Sequence, residues 1–197
     1  IAYYYAYCHY GIGSYKVAAF RFKNYYKTYS RTQKAEKALY MHAYCLFLQS
    51  PPVELDQKPT KKAINAFQLF IKKFPNSNKI KECNKYIDNL RGKLRKKAYK
   101  RANLWYKILD YKAAVTAFNN LLDQYPTIDN RKKIEFLIVK SRYKVAERSV
   151  QSKKEERYRA TLQNCKDFLG KYPQSEYVGE AKEIKQKVKK ALDRYET

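Results

Sequence analysis

Apolar residues recur along this chain at steps of three and four, and one such stretch is written four times. The copies are YKVAAFRFKNYYKTYS (15–30), TKKAINAFQLFIKKFP (60–75), YKAAVTAFNNLLDQYP (111–126) and YRATLQNCKDFLGKYP (158–173). In register, Phe22, Phe67, Phe118 and Cys165 share one line, Tyr25, Phe70, Leu121 and Phe168 the next, and Tyr29, Phe74, Tyr125 and Tyr172 the last. Such spacing puts each set on one stripe of an α-helix. The closing aromatic residues lie 45, 51 and 47 residues apart, and proline follows three of them. A period of that length fits a helix pair and predicts an all-α solenoid, in which each pair buries its apolar stripe against the next.

Each phrase is then the second helix of a pair. AYCHYGIGSY (6–15) aligns without gaps to ANLWYKILDY (102–111), placing Ala6 over Ala102, Tyr10 over Tyr106 and Ile12 over Ile108. ALYMHAYCLFL (38–48) has the same spacing, and EFLIVKSRYKVAERS (135–149) supplies the fourth first helix. Gly13 and Ser14 form the turn of the first pair, because glycine takes positive φ without a Cβ penalty. Asp110 caps the helix that begins at Tyr111. QSPPVELDQKP (49–59) interrupts the second pair with three prolines and cannot be continuous helix. Insertions in solenoids map to loops on one face, often a binding face, which singles out Pro51, Pro52, Leu55, Asp56 and Gln57. From Ser77 to Ile108 the one breaker is Gly92, predicting a helix of about 48 Å. Residues 175–196 read as a closing helix, with Ser175 as its cap and Tyr177, Ala181, Ile184, Val188 and Leu192 on one side. The expected layout is one solenoid over 1–197, with about four repeats (1–30, 31–75, 77–126 and 130–173) and a terminal helix.

Charge adds a surface property. Forty-three Lys and Arg against eighteen Asp and Glu leave a formal charge of +25, which attracts phosphate, anionic headgroups or acidic proteins. The positives are spread along the whole length, as on solvated helix faces; the densest cluster runs from Lys93 to Arg101. With Trp105 as a stacking ring, that cluster carries the alternative reading, a basic helical-repeat protein that binds nucleic acid. Twenty-one tyrosines exceed the needs of a core and suit a half-wet groove. Cys8, Cys45, Cys83 and Cys165 lack ligand spacing and read as small hydrophobes in helical stripes. His42 and Cys45 share a face, but neither a dyad nor a metal site finds further partners. No cofactor, metal or catalytic set is expected: there is no Ser/His/Asp group, no carboxylate pair in an apolar setting and no phosphate loop. The uncharged start, IAYYYAYCHYGIGSY, is too short to span a bilayer and lacks the flanks of a signal peptide. Beginning on Ile1, the chain reads as a fragment or processed form, with any targeting signal or lipid anchor upstream.

A tyrosine opening the second helix and a proline closing it resemble the tetratricopeptide repeat, and Ala113 or Ala114, Phe118 and Pro126 follow its small, aromatic, proline order. The spacing exceeds the usual period of about 34 residues, as in a divergent version with insertions. Residues 35–77, 106–126 and 136–158 are similar to the BamD family, the outer-membrane assembly lipoproteins of the BAM complex, in its Bacteroidetes form. The SPPVELDQ loop (50–57) is the most specific part. Relative to that family, the signal peptide, the lipidated cysteine and the first repeat are expected to lie upstream of Ile1. Ser30 replaces the usual proline, and Leu109 stands where glycine is common.

The resemblance implies a non-enzymatic adaptor on the periplasmic face of the outer membrane, reaching the membrane only through a lipid anchor upstream. It would dock on the POTRA domains of a BamA-like β-barrel insertase, sit with other BAM subunits and help receive unfolded outer-membrane protein precursors, with no nucleic acid expected. Its N-terminal repeats would meet the C-terminal signal of a client, an extended segment ending in an aromatic ring and a free carboxylate. Tyr3, Tyr7, Tyr10, Tyr40, Tyr44 and Phe47 are the rings expected to line that groove, with Arg21 and Lys23 as charge partners. Arg148, Lys153, Lys154, Arg157, Lys187 and Arg194 are the cations expected to face BamA.

Overall fold

The computed structural model describes residues 1–195, and among these it contains nine α-helices and no strand. They are α1 (Ala2–Gly11), α2 (Tyr15–Thr28), α3 (Lys34–Leu48), α4 (Lys58–Lys73), α5 (Ile80–Lys107), α6 (Tyr111–Gln124), α7 (Arg131–Glu147), α8 (Gln151–Lys171) and α9 (Val178–Leu192), with a 3-10 turn at Asp193–Tyr195. The all-α, helix-pair architecture of tetratricopeptide type is the one the period predicts. Two compact units divide the chain, the first from Ile1 to Lys97 and the second from Ala98 onward.

The four phrases end in one backbone motif. Tyr29, Phe74, Tyr125 and Tyr172 occupy the C-cap positions of α2, α4, α6 and α8, with φ of −123°, −129°, −133° and −130°. In each case the cap N–H donates to the carbonyl four residues back, on Tyr25, Phe70, Leu121 or Phe168, at 2.8 to 3.0 Å. The third line of the sequence register thus donates its backbone N–H to the carbonyls of the second, which would otherwise stay open at the helix end. Ser30 does not disturb this geometry, so the proline that follows the other three caps stops the helix without setting the cap's shape.

Packing follows the same lines. Phe22, Phe67, Phe118 and Cys165 are fully buried, each in the core of its own pair, and burying a phenylalanine contributes roughly 1.5–3 kcal/mol. In the first unit α1 to α4 and the start of α5 share one core. In the second, Phe118 with Ile134 and Phe168 with Ile184 belong to two neighbouring clusters.

Local signals hold where chemistry is specific. Gly13 has φ +77°, and Leu109, its gap-free counterpart, has φ +65°, in the left-handed region that a branched side chain resists. Asp110 Oδ1 accepts from the Ala113 N–H at 3.0 Å, capping α6 as expected. Gly92 sits inside the 28-residue α5 without ending it.

Other expectations are corrected. Cys8 is exposed rather than packed, because it lies on the stripe of α1 that carries the exposed Ile1, Tyr4, Tyr5 and Ile12, whereas Cys45, Cys83 and Cys165 are buried. Helix α8 starts at Gln151, seven residues before the repeated phrase, since nothing in QSKKEER breaks a helix. The closing helix begins at Val178; Ser175 Oγ accepts from the Tyr177 N–H at 3.3 Å in the turn ahead of it and does not cap the helix itself. Glu196, the last residue of the expected span, lies outside the described residues.

Candidate functional site

The six aromatic residues singled out by sequence form one unbroken array in the first unit. Ring centroids step from Tyr3 to Tyr7 (5.1 Å), Tyr10 (6.5 Å) and Tyr44 (6.3 Å), and Tyr44 stacks on both Tyr40 (6.1 Å, 7°) and Phe47 (6.0 Å, 17°). Helices α1 and α3 supply these rings, and α5 adds Tyr86, 5.5 Å from Tyr44 and 4.6 Å from Phe47. Tyr3 and Tyr40 are 7% and 8% exposed and serve the core. Tyr7, Tyr10, Tyr44, Phe47 and Tyr86 are half-buried, packed on the core by one side and open on the other.

The cations over these rings differ from those expected. Arg21 and Lys23 lie exposed on α2, with Arg21 5.1 Å above Tyr5, a ring outside the array. Lys34 sits 5.3 Å from the Tyr3 ring, Lys37 5.8 Å from Tyr7 and Lys79 5.3 Å from Tyr40, each within cation–π range. A stripe signal could have found one of them, since Lys37, Tyr40, Tyr44 and Phe47 stand three and four apart on α3.

One carboxylate is embedded here. Glu82 Oε1 accepts from the hydroxyls of Tyr40 and Tyr86 at 2.9 Å each, and Oε2 from Lys79 at 2.9 Å. The Lys79 hydrogen bond, aided by the two phenols, holds Glu82 below the usual carboxylate range. Burial and the Glu82 contact push the Tyr86 phenol up to about 12. Glu82 thereby fixes two ring orientations and the position of one lysine. A face of this kind, with open rings and fixed ammonium groups, can take an aromatic side chain beside a carboxylate.

The inserted loop is anchored rather than loose. Gln57 is buried and donates to the carbonyls of Pro52 (2.8 Å) and Leu55 (2.9 Å), while its Oε1 accepts from Thr60 at 2.7 Å. Lys93 of α5 donates to Ser50 Oγ at 2.8 Å and to the Pro51 carbonyl at 3.0 Å, and Lys97 donates to the Leu55 carbonyl. Pro52, Leu55 and Asp56 remain exposed at the tip. Two cations of the densest basic cluster are therefore engaged with this loop. Trp105, 37% exposed, borders a hollow of about 540 Å³ with Arg101, Asp110 and Lys112 in the second unit.

The six cations expected to face BamA all belong to the second unit but are differently placed. Arg148 lies 4.9 Å above the Tyr111 ring, and its Nη1 reaches the Leu109 carbonyl at 3.5 Å. Arg157 donates to Ser149 Oγ, so these two arginines hold the α5–α6 turn and the α7–α8 turn respectively. Lys153 and Lys154 stand in the first turn of α8, Lys187 is exposed on α9, and Arg194 lies in the final 3-10 turn.

His42 has a structural role. Its Nδ1 lies 2.8 Å from the Ala19 carbonyl, tying α3 to α2, and burial lowers its pKa. Cys45, on the same face, has its thiol pushed up to about 12 by burial and is no nucleophile at neutral pH. Among the described residues, no three His, Cys, Asp or Glu side chains are grouped to hold a metal ion. No described helix is long and apolar enough to cross a membrane.

The profile of the YfiO outer-membrane lipoproteins matches residues 1–129 and also residues 98–197, which together span the sequence. The chain belongs to the YfiO family. YfiO proteins are the BamD-like outer-membrane lipoproteins, the family the SPPVELDQ loop and repeated phrases resemble. Residues 98–129, with α6 at their centre, fall in both YfiO matches, as expected of a sequence built from repeats. No curated protein matches the chain.

Proposed function

We propose that this YfiO-family chain is the BamD-type adaptor of a Bacteroidetes BAM machine. It acts without catalysis at the periplasmic face of the outer membrane, held there by a lipid anchor upstream. Repeats 1–30, 31–75, 77–126 and 130–173 belong to one solenoid that offers two surfaces. The first unit receives the C-terminal signal of unfolded outer-membrane proteins. The second docks on the POTRA domains of a BamA-like insertase through Arg148, Lys153, Lys154, Arg157, Lys187 and Arg194, and the loop tip at Pro52, Leu55 and Asp56 meets another BAM subunit.

One observation carries the client reading: open rings of Tyr7, Tyr10, Tyr44 and Phe47 run beside Lys34, Lys37 and Lys79. An aromatic ring slots against such faces, and a chain-end carboxylate is held by ammonium groups nearby. Fluorescence anisotropy with a labelled decapeptide ending in phenylalanine tests it. The free acid is expected to bind roughly tenfold more tightly than the C-terminal amide, with Lys37→Gln or Lys79→Gln removing the difference and Arg21→Gln leaving it. Equal binding of acid and amide would refute the reading. For the docking face, Arg148→Glu with Arg157→Glu is expected to abolish co-purification with the BamA-like barrel. Sequence-blind binding of an oligonucleotide with a steep salt dependence would favour the nucleic-acid alternative instead.

A further inference from the structure

Helices α6, α7 and α8 of the second unit enclose a trough that shares only Arg157 with the surfaces proposed above. At one end, Lys112 and Val115 of α6, Arg142 and Val145 of α7, and Arg157 and Ala160 of α8 surround a hollow of about 210 Å³. At the other, Asn119, Glu135, Arg142, Asn164 and Lys171 border a second hollow of about 280 Å³. Arg142 lines both, so the two meet at its side chain. Residue numbers rise along α6 and α8 and fall along α7, and α7 packs against both of the others, so α7 is the floor and α6 and α8 are the walls. From Lys112 to Leu122 the wall runs about 15 Å, the length of four to five residues of extended chain at about 3.3 Å each.

Two polar atoms in this trough are buried without a hydrogen-bond partner, the donor Arg142 Nε and the acceptor Asn164 Oδ1. Folded proteins pair nearly all such atoms, and an exception calls for an explanation. Both atoms are shut off from solvent beside the trough, so a peptide unit, with one carbonyl and one N–H, pairs with them once the Arg142 and Asn164 side chains turn toward it. Charge is uneven along its length. Three cations and no acid line the first hollow. The hydroxyls there turn back to their own helices, Thr116 to the Lys112 carbonyl at 3.3 Å and Thr161 to the Arg157 carbonyl at 2.7 Å. In the second hollow Glu135 is already held by Arg131 and Lys171, both at 2.7 Å, and Asp167 accepts from Gln163 at 2.7 Å.

We infer that this trough binds a short extended segment of a partner protein, placing an aspartate or glutamate side chain among Lys112, Arg142 and Arg157. Val115, Val145 and Ala160 take the methylene stem of that side chain, while the guanidinium and ammonium groups take its carboxylate. The hollow has no aromatic wall, so it does not suit the ring-bearing chain end of a client. For its partner being a protein, the inference rests on the docking reading; its site is separate, although Arg157 contributes to both.

NMR titration of the ¹⁵N-labelled chain with the blocked hexapeptide acetyl-Gly-Val-Glu-Val-Ser-Gly-amide tests the trough. Saturable shifts are expected at the amides of Thr116, Arg142 and Asn164, and a peptide with glutamine for glutamate is expected to bind roughly tenfold more weakly. Arg142→Gln is expected to weaken the glutamate peptide to the same level. Lys112→Gln, at an exposed position, gives a second reading if loss of Arg142 disturbs folding. Equal binding of the two peptides, shifts centred outside the trough, no saturation at millimolar peptide, or preference for a glutamate-free peptide with a free C-terminus would overturn the inference. Co-purification that survives Arg148→Glu with Arg157→Glu would instead count against the docking face, whatever the peptide does.

Discussion

Gly11 and Gly13 stand two residues apart at the turn between α1 and α2, and a methyl group added at either meets nothing within 4 Å. Their backbones differ. Gly11 is the last residue of α1, whereas Gly13 has φ +77°. Alanine at Gly11 keeps its native conformation and narrows the unfolded ensemble, so Gly11→Ala is expected to stabilise the chain by about 0.4–1 kcal/mol. Alanine at Gly13 brings the same unfolded-state gain but adds the left-handed penalty of an L-residue, about 1–2 kcal/mol. Gly13→Ala is therefore expected to destabilise by about 0.8 kcal/mol, the difference of the mid-range values. The unfolded-state contribution is common to both and cancels, leaving a gap between the variants of about 1–2 kcal/mol set by one backbone angle. Far-UV circular dichroism should follow the melt, since Trp105 belongs to the second unit and its fluorescence reports there. In a cooperative unit of about 100 residues, each 1 kcal/mol shifts the midpoint by roughly 4–8 °C, so the separation is measurable. If Gly13→Ala melts at or above the parent, or both variants move the same way, the left-handed turn is not what this glycine serves.

Three further outcomes are expected. Lys93→Met removes the ammonium that holds Ser50 and Pro51, and urea unfolding should show a loss of roughly 1.5–3 kcal/mol; Pro51→Ala and Pro52→Ala keep their carbonyl acceptors and should each cost no more than about 1 kcal/mol. His42 is buried neutral, with its folded pKa below the ordinary value of about 6.5, so below that pH the unfolded chain takes up a proton the folded chain refuses; melting temperature should fall between about pH 7 and pH 5, and His42→Gln should flatten that slope. Thiol labelling of the native chain should modify Cys8 and spare Cys45, Cys83 and Cys165, the last two with thiols pushed up to about 11; fast reaction at a second cysteine without denaturant would contradict the packing.

The aromatic array shows how far a stripe can be read in one dimension. Tyr40, Tyr44 and Phe47 share a face by spacing alone, and the structure adds Tyr86 from about forty positions away. Arg21 and Lys23 are the charge partners expected from the sequence. Helix α2 turns them outward, and Lys34, Lys37 and Lys79 take positions over the rings from α3 and from the residue preceding α5. Which cation meets which ring depends on the rotation of one helix against another, and that is a property of the packed pair.

Short-range chemistry was settled by the sequence: where helices stop at Gly13 and at the four aromatic caps, that Asp110 begins α6, that Gly92 does not end α5, and that helix pairs repeat. Each depends on contacts within about one helical turn, where φ, a side-chain oxygen or a step of three or four leaves few alternatives. Tertiary structure alone decided that Lys93 and Lys97 hold a loop some forty residues earlier, that Glu82 binds two tyrosines and a lysine, that Cys8 is exposed, and that Arg142 Nε and Asn164 Oδ1 face one trough unpaired. These depend on the relative rotation and depth of packed helices, which side-chain volumes in the shared core set and local propensity does not.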